Sequence, residues 1–401
     1  INGAVTMLPG ALDQGYWPDG IYTAPTDAAL RFDIEAAREL GLAAIRKHIK
    51  VEPQRFYYWA DKLGLLIIQD LPSGREGDPF TDLPVNNEAA TTNEMERRTL
   101  IRRYWNHPSI ICWALFNEGW GQYDTLRHAA WAKALDPTRL IDEASGFPRH
   151  GGGDVIDCHG GIPPKGPNQI SIDSETLGIG LSTPGHDWPG TMWSTGTYDP
   201  ASGGERTGKL HPIDAPSKAW YTAVVAGFYA DLWKSCDRTG SSGDFKVQLY
   251  DLENECNGLI SYDRAVFKVE PAPVRQAPRN EMPDYETVDI IPCSGTRQVA
   301  WRYTTERPAA DWFAPDFDDR AWKEGLAGFN GGTRQGTPWT TADLWIRKEF
   351  TLKAKPKAPI LRIQHDENAT VFINGEAAAI APGVSSYAWY PVSATAAATL
   401  K

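Results

Sequence analysis

The sequence predicts an α/β chain: a closed (β/α)8 barrel of the TIM type over residues 1–267, then a jelly-roll-like β-sandwich over 297–401. Three observations predict it. Apolar runs alternate with amphipathic stretches for about 250 residues, the rhythm of repeated βα units. Several runs are apolar on both faces, as parallel strands covered by helices are. Beyond a Pro-rich segment the rhythm gives way to short alternating strands without helices.

The elements follow in order. A first strand is expected near Leu8–Leu12. Thr26–Leu40 reads as a helix with Leu30, Ile34, Ala37 and Leu40 on one stripe, stopped by Gly41. Gly41–His48 is the second strand, and Pro53–Leu63 a helix that opens with Pro and ends at Gly64. Leu65–Asp70 and Ser109–Phe116 are strands flanking a helix over Glu88–Trp105. Asp124–Leu135 is helical, and Leu140–Ala144, Asp154–Cys158 and Gln169–Asp173 are strands. The Gly/Pro-rich stretch Gly160–Asn168 has no helix pattern, so one barrel helix is expected to be missing. A helix over Ser217–Ser235 and a strand over Phe245–Leu252 complete the set. Such alternation suits either a doubly wound sheet or a barrel, and eight strands favour the barrel.

Residues 268–296 read as a linker from their Pro-rich, charged composition. After it, strands are expected over Asp343–Thr351, Ala358–His365 and Ala369–Asn374, with Asn374-Gly375 as a hairpin turn. No closing strand is evident before Lys401, so a truncated sandwich is the expectation.

Composition excludes several classes. With 40 basic against 51 acidic side chains the net charge is −11, the wrong sign for a nucleic-acid partner. No apolar run approaches the roughly 18 residues that span a bilayer, so no membrane role is expected. The five cysteines Cys112, Cys158, Cys236, Cys256 and Cys293 are widely spaced with no CxxC pair, which points to free thiols without zinc or disulfides. The first residue is Ile and no signal segment is evident, so the chain reads as a piece of something longer. The compartment stays open, with an extracytoplasmic one favoured.

In a (β/α)8 barrel, chemistry sits at the C-terminal ends of the strands. Strand four ends in Asn117-Glu118-Gly119-Trp120 and strand seven in Asp173-Ser174-Glu175. Two glutamates three strands apart can face each other across the mouth, the arrangement that glycoside hydrolysis needs. Arg46 and His48, two apart on strand two, share a face and are expected to point inward. Strand three contributes Asp70, and strand six Asp157 and His159. A guanidinium near Glu175 would keep it ionised. No HxH or HExxH spacing exists, so neither a metal nor a cofactor is expected. Among 16 tryptophans, Trp17, Trp113, Trp120, Trp188 and Trp193 fall at the expected mouth, where flat faces suit pyranose rings. Each residue also has a plainer reading, as a helix-cap neighbour, a buried ion-pair partner or core.

The stretch Ile101–Gly121 resembles the acid/base signature of glycoside hydrolase family 2, which includes β-galactosidases, β-glucuronidases and β-mannosidases. Asp13–Gly41, Ile45–Pro53 and Tyr250–Arg264 are similar to the same family's barrel. The resemblance implies a retaining exo-β-glycosidase of β-galactoside type, with Glu118 as general acid/base, Glu175 as nucleophile and Asn117 on the sugar 2-hydroxyl. From their places at the strand ends and the mouth, substrate contacts are also expected from Arg46, His48, Asp70, His159, Trp120, Asp13, Trp17 and Trp193. Partners implied are a carbohydrate substrate and upstream sandwich domains, with oligomerisation left open. Residues 297–401 resemble galactose-binding-like domains attached to such enzymes.

The sequence departs from the family at three points. Thr176 and Leu177 replace the usual aromatic and glycine after the nucleophile, and no Tyr stands near Gly161 or Ile162. No Asn-x-Lys pair is present to hold a glucuronate carboxylate. A non-catalytic carbohydrate-binding or scaffolding relative is therefore the alternative reading, and an endo-acting hydrolase a third.

Overall fold

The structure is a computed structural model. It describes all residues except 1, 2, 4, 75, 76, 79, 86, 161–165, 167, 189–217, 254, 278–288, 293, 295, 296, 332–335, 357, 358, 366–368 and 382–384. The chain divides into two compact units at residues 285/286.

The first unit is an eight-stranded parallel sheet curled into a barrel. Its strands are β1 (Leu8–Asp13), β2 (Ala44–Lys47), β3 (Leu66–Asp70), β4 (Ile110–Ala114), β5 (Leu140–Asp142), β6 (Val155–His159), β7 (Ile170–Thr176) and β8 (Ser241–Lys246). Hydrogen-bonded neighbours run β5-β4-β3-β2-β1-β8-β7-β6. The seam between β5 and β6 is crossed by Asp154, whose N–H donates to Ile141 O at 2.7 Å and whose carboxylate accepts from Ile141 N at 2.9 Å.

Helices α1 (Asp27–Glu39), α2 (Gln54–Leu63), α3 (Asn87–Tyr104), α4 (Thr125–Leu135) and α5 (Lys218–Thr239) lie where the periodicity places them. Thr26 caps α1 by accepting from Ala29 N at 3.0 Å, and Gly64 ends α2 in the left-handed region at φ 75°. No helix joins β5 to β6. The stretch expected to lack a helix, 160–168, lies largely outside the described residues.

Leu8, Ala44, Ile68, Cys112, Ala114, Val155, Ile172 and Phe245 pack together as the barrel core. Because strand side chains alternate, this set fixes which residues face inward. Ala44 inward means Arg46 and His48 inward; Val155 inward means Asp157 and His159 inward. Gly10 lies beside Phe245 across the β1–β8 ladder, and a Cβ there would come within 2.4 Å of the ring. Gly10→Ala is therefore expected to cost about 1–3 kcal/mol by overpacking, measured as a lowered thermal midpoint. An unchanged midpoint would show that the ring has room to move.

Two boundaries differ from expectation. Strand β8 runs from Ser241 to Lys246 and not from Phe245 to Leu252, although Val247 N and Leu249 N still donate to Thr176 O and Leu12 O on the neighbouring strands. The polar run Ser241-Ser242-Gly243-Asp244 hides a strand because Gly243 sits against Leu8, with no space for a Cβ. The predicted linker opens with helix α6 (Pro271–Gln276), which has Pro at its first turn and buries Val274; 278–288 lie outside the described residues.

Among the described residues, the second unit holds three antiparallel sheets. β9 (Ala300–Thr304) pairs with β10 (Lys323–Leu326) and β11 (Trp345–Arg347). β12 (Ile360–His365) pairs with β15 (Ser385–Pro391), and β13 (Ala369–Ile373) with β14 (Glu376–Ala381). Asn374 and Gly375 both have positive φ, 50° and 87°, as the predicted hairpin turn requires. Helix α7 (Ala394–Thr399) follows β15, capped by Ser393, and packs Ala396 with Ala378 and Val392. β15 supplies a partner strand where none was evident in the sequence.

Candidate active site

Arg46 is the hub. Its inward position in β2 places the guanidinium, wholly buried, among residues from three other strand ends. It donates twice to Asp70, Nε to Oδ1 at 3.0 Å and Nη2 to Oδ2 at 2.7 Å. Nη2 also reaches Asn117 Oδ1 at 2.7 Å, and Nη1 reaches Ser174 Oγ at 3.2 Å and Glu175 Oε1 at 2.9 Å. A planar fork with five donors suits this task, which a lysine could not perform.

Glu175 follows Ser174 directly, so simple alternation would turn it out of the barrel. The ladder shifts register at this point: His159 pairs with Glu175 although Cys158 pairs with Asp173. The bulge brings Ser174 and Glu175 to the same face. Ser174 is then anchored to Asp157, N–H to Oδ1 at 3.0 Å and Oγ to Oδ2 at 2.5 Å.

Glu118 stands beyond the end of β4 with φ 49°, a left-handed conformation uncommon for a residue with a side chain. Its N–H donates to Ser145 O at 3.1 Å, and the turn is closed by Trp120 N to Asn117 O at 2.8 Å. The Glu118 and Glu175 carboxylates each have an oxygen within 4.8 Å of the other and of a ring nitrogen of His159. His159 Nδ1 is 2.8 Å from Glu118 Oε1 and 3.8 Å from Glu175 Oε2. His48 Nε2 is 3.3 Å from Glu175 Oε1.

The electrostatics separate the groups. Burial pushes the Glu175 carboxyl up, but His159, His48 and Arg46 together hold it well below the usual range. Burial likewise works against a charged His159, yet Glu175, the hydrogen bond to Glu118 and Asp157 push it up to about 9. At neutral pH the site therefore holds an ionised Glu175 beside a cationic imidazole. Beneath them Asp142, at the end of β5, is raised far above a normal carboxyl by burial and then by Asp157, so it stays neutral.

The structure thus brings Glu118, Glu175, Asn117, Arg46, His48, Asp70 and His159 into one cluster. Trp120 flanks it, 37% exposed and hydrogen-bonded into the same turn. Asn117 Nδ2 has no partner among the described residues, which leaves a buried donor for a ligand.

Asp13 is a correction. It pairs in register with Lys47, and because Arg46 faces in, Lys47 and Asp13 face out. Its oxygens are taken by Lys47 Nζ at 3.0 Å and Gly15 N at 2.8 Å, and it is 1% exposed. Trp17 is buried beneath the Arg264 guanidinium, 3.9 Å from the ring centroid, so its face is not open to a sugar. Trp113 also turns outward, donating to Asp136 Oδ2 at 3.0 Å. Trp193 lies outside the described residues, as do Gly161 and Ile162.

Ser145 is the residue that sequence reasoning missed. It joins His159 Nε2 at 2.8 Å to Ser174 Oγ at 2.6 Å. Its only signal is its position three residues past the end of β5. As for a metal, Glu118, His159 and Glu175 offer ligand atoms close together. Here the imidazole and Arg46 already neutralise both carboxylates, so a dication would have to displace two cations.

Residues 24–153 match the family model for the glycosyl hydrolases family 2 TIM barrel domain. Over this segment the barrel is similar to that of glycoside hydrolase family 2. The matched segment holds Arg46, His48, Asp70, Asn117 and Glu118, while His159 and Glu175 lie beyond it and join the cluster through the geometry alone. A β-galactosidase 2 of Enterobacter cloacae is 30% identical over 167 residues, 39% of this chain and 15% of that protein. A β-galactosidase of Lactococcus lactis is 28% identical over 158 residues, 36% of this chain and 15% of that one. The chain spans no more than 16% of the length of these relatives. A family 2 β-galacturonidase from Eisenbergiella tayi, solved with galacturonate, shares the fold with a TM-score of 0.50 at 16% identity, covering 69% of this chain and 52% of that one.

Proposed function

We propose that this barrel is the catalytic domain of a retaining exo-β-glycosidase that acts on β-galactoside-type substrates. One observation carries the reading: two glutamates on facing strand ends have carboxylate oxygens within 4.8 Å of each other. Oxygens this close leave no room for a water between the carboxylates and suit direct attack by one of them. Glu175, ionised and held by Arg46, attacks the anomeric carbon while Glu118 protonates the departing oxygen. Glu118 then takes a proton from the water that releases the sugar. The buried, unpaired Asn117 Nδ2 supplies a donor to a sugar hydroxyl. The exposed face of Trp120 offers a surface for the ring or its aglycone. Relatives named β-galactosidase and relatives named putative β-glucuronidase both match the chain, and the lack of an Asn-x-Lys pair in this sequence tips the reading toward a galactoside.

Incubation with a 2-deoxy-2-fluoro-β-galactosyl fluoride is expected to label Glu175, read by peptide mass spectrometry. Proton NMR of a turnover mixture is expected to show the β-anomer first. First release of the α-anomer, or no label on a protein that turns over substrate, would overturn the retaining assignment. Absence of turnover on a panel of p-nitrophenyl β-glycosides would favour a non-catalytic sugar binder.

A further inference from the structure

A hydrogen count along one chain of contacts fixes the state of His159. Ser174 Oγ gives its only hydrogen to Asp157 Oδ2. It must therefore accept from Ser145 Oγ, as it also accepts from Arg46 Nη1. Ser145 has then spent its hydrogen, so His159 Nε2 must donate to it. Nε2 is protonated in every state of the site, and the variable hydrogen lies on the other side of the ring, on the 2.8 Å line between Nδ1 and Glu118 Oε1. That line holds one proton, shared by one carboxylate and one imidazole.

The ring cannot turn away from this duty. Gly146 lies against its face, where a Cβ would fall 2.8 Å from Cγ and Nδ1, and Phe147 meets it edge-on at 6.0 Å between centroids. The charged groups around it are Glu118 beyond β4, Glu175 from β7, Asp157 from its own strand and Arg46 from β2, with His48 against Glu175.

Resting on the glycosidase reading above, we propose that His159 is a positioning residue that stores the proton Glu118 delivers to the leaving oxygen, and that the charge on Glu175 decides where this proton sits. While Glu175 is a carboxylate, 3.8 Å away, its charge keeps the proton on Nδ1. As a Glu175 oxygen bonds to the anomeric carbon, that charge vanishes. The bond to the departing oxygen breaks with its electron pair, Glu118 passes a proton to that oxygen, and Nδ1 passes its proton to Glu118. A neutral Nε2–H imidazole remains. In the second half, water attacks the anomeric carbon and the ester bond returns its electron pair to Glu175. The proton lost by water passes through Glu118 back to Nδ1. Charge and protons balance over the cycle, and no other acid is needed.

His159→Gln keeps a neutral hydrogen-bonding side chain without the stored proton. In the wild type the alkaline limb of kcat/KM is expected to follow the imidazole, near 9. In His159→Gln it is expected to shift by at least about one pH unit toward acid. The loss in kcat is expected to be about 10-fold or more greater on alkyl β-galactosides than on 2,4-dinitrophenyl galactoside, whose leaving group needs no proton. A raised KM with an unchanged pH profile and equal losses on both substrates would overturn the proposal and leave His159 as a sugar contact. Should His159→Gln fail to fold, Ser145→Ala removes the acceptor of Nε2–H together with the donor to Ser174 Oγ, and is expected to move the same limb. Histidine ¹⁵N NMR of the wild type needs no substrate: a His159 ring that titrates below pH 7 overturns the proposal whatever the activity. A ring that titrates above pH 8 in a protein that hydrolyses no glycoside overturns the glycosidase reading instead.

Discussion

Glu175→Ala is expected to lower kcat/KM by at least about 10⁴-fold while leaving the barrel folded, because a nucleophile cannot be replaced by its neighbours. Most of that loss should be restored by added azide, which can enter the vacated space and attack the anomeric carbon from the side Glu175 occupied. The product would then be the α-glycosyl azide, detectable by NMR. Undiminished hydrolysis by Glu175→Ala would sink the assignment outright. The same substitution tests the electrostatics. The Glu175 carboxyl is held far below its ordinary value of 4.5 in the folded protein. A group depressed by folding adds stability above its unfolded pKa and loses it as pH falls toward the folded one. Any stability difference between the wild type and Glu175→Ala should therefore shrink below about pH 4.5, which urea titrations at pH 7 and pH 4 would measure.

Arg46→Met is expected to be the most damaging substitution in the barrel wall. It removes a fully buried cation and strands the Asp70 carboxylate, 3% exposed, which accepts two of its hydrogen bonds. Breaking a buried pair by deleting one partner typically costs about 3–5 kcal/mol, far more than the pair contributes over an apolar substitute. Arg46→Met with Asp70→Leu should recover much of the stability and none of the activity, since Asn117 and Glu175 would still lack their anchor. If the single variant melts like the wild type, the hub is not structural. If it retains full turnover, Arg46 does not set the ionisation of Glu175.

What the sequence disclosed depended on period. Helices α1 and α2 were legible because their stripes and end signals agree, and Arg46 with His48 because two residues of one strand share a face. Trp113 and Asp13 were misplaced for the same reason: strand parity decides direction, and it becomes known only once the core positions are known. Glu175 was found from its place at a strand end, with its role implied by the resemblance, and strict parity would have rejected it, since the bulge that turns it inward leaves no mark in Ile170–Thr176. Ser145 carried no signal at all. Its role comes from the distance between β5 and β6, which no local pattern records. In the second unit the Asn374-Gly375 turn was plain, whereas β14, Glu-Ala-Ala-Ala-Ile-Ala, resembles a helix in composition and is a strand only because the turn folds it back on β13.

The extra residue in β7 ties two inheritances together. Ser174 holds the floor and Glu175 does the work, yet both point the same way only while the strand is one residue longer than its neighbour's spacing requires. A deletion of any single residue between Ile170 and Ser174 would leave every side chain of the reaction encoded and send the glutamate into the helical shell. In this strand length matters to the site as much as identity does. A lineage could fall silent there without losing one recognisable residue of its active site.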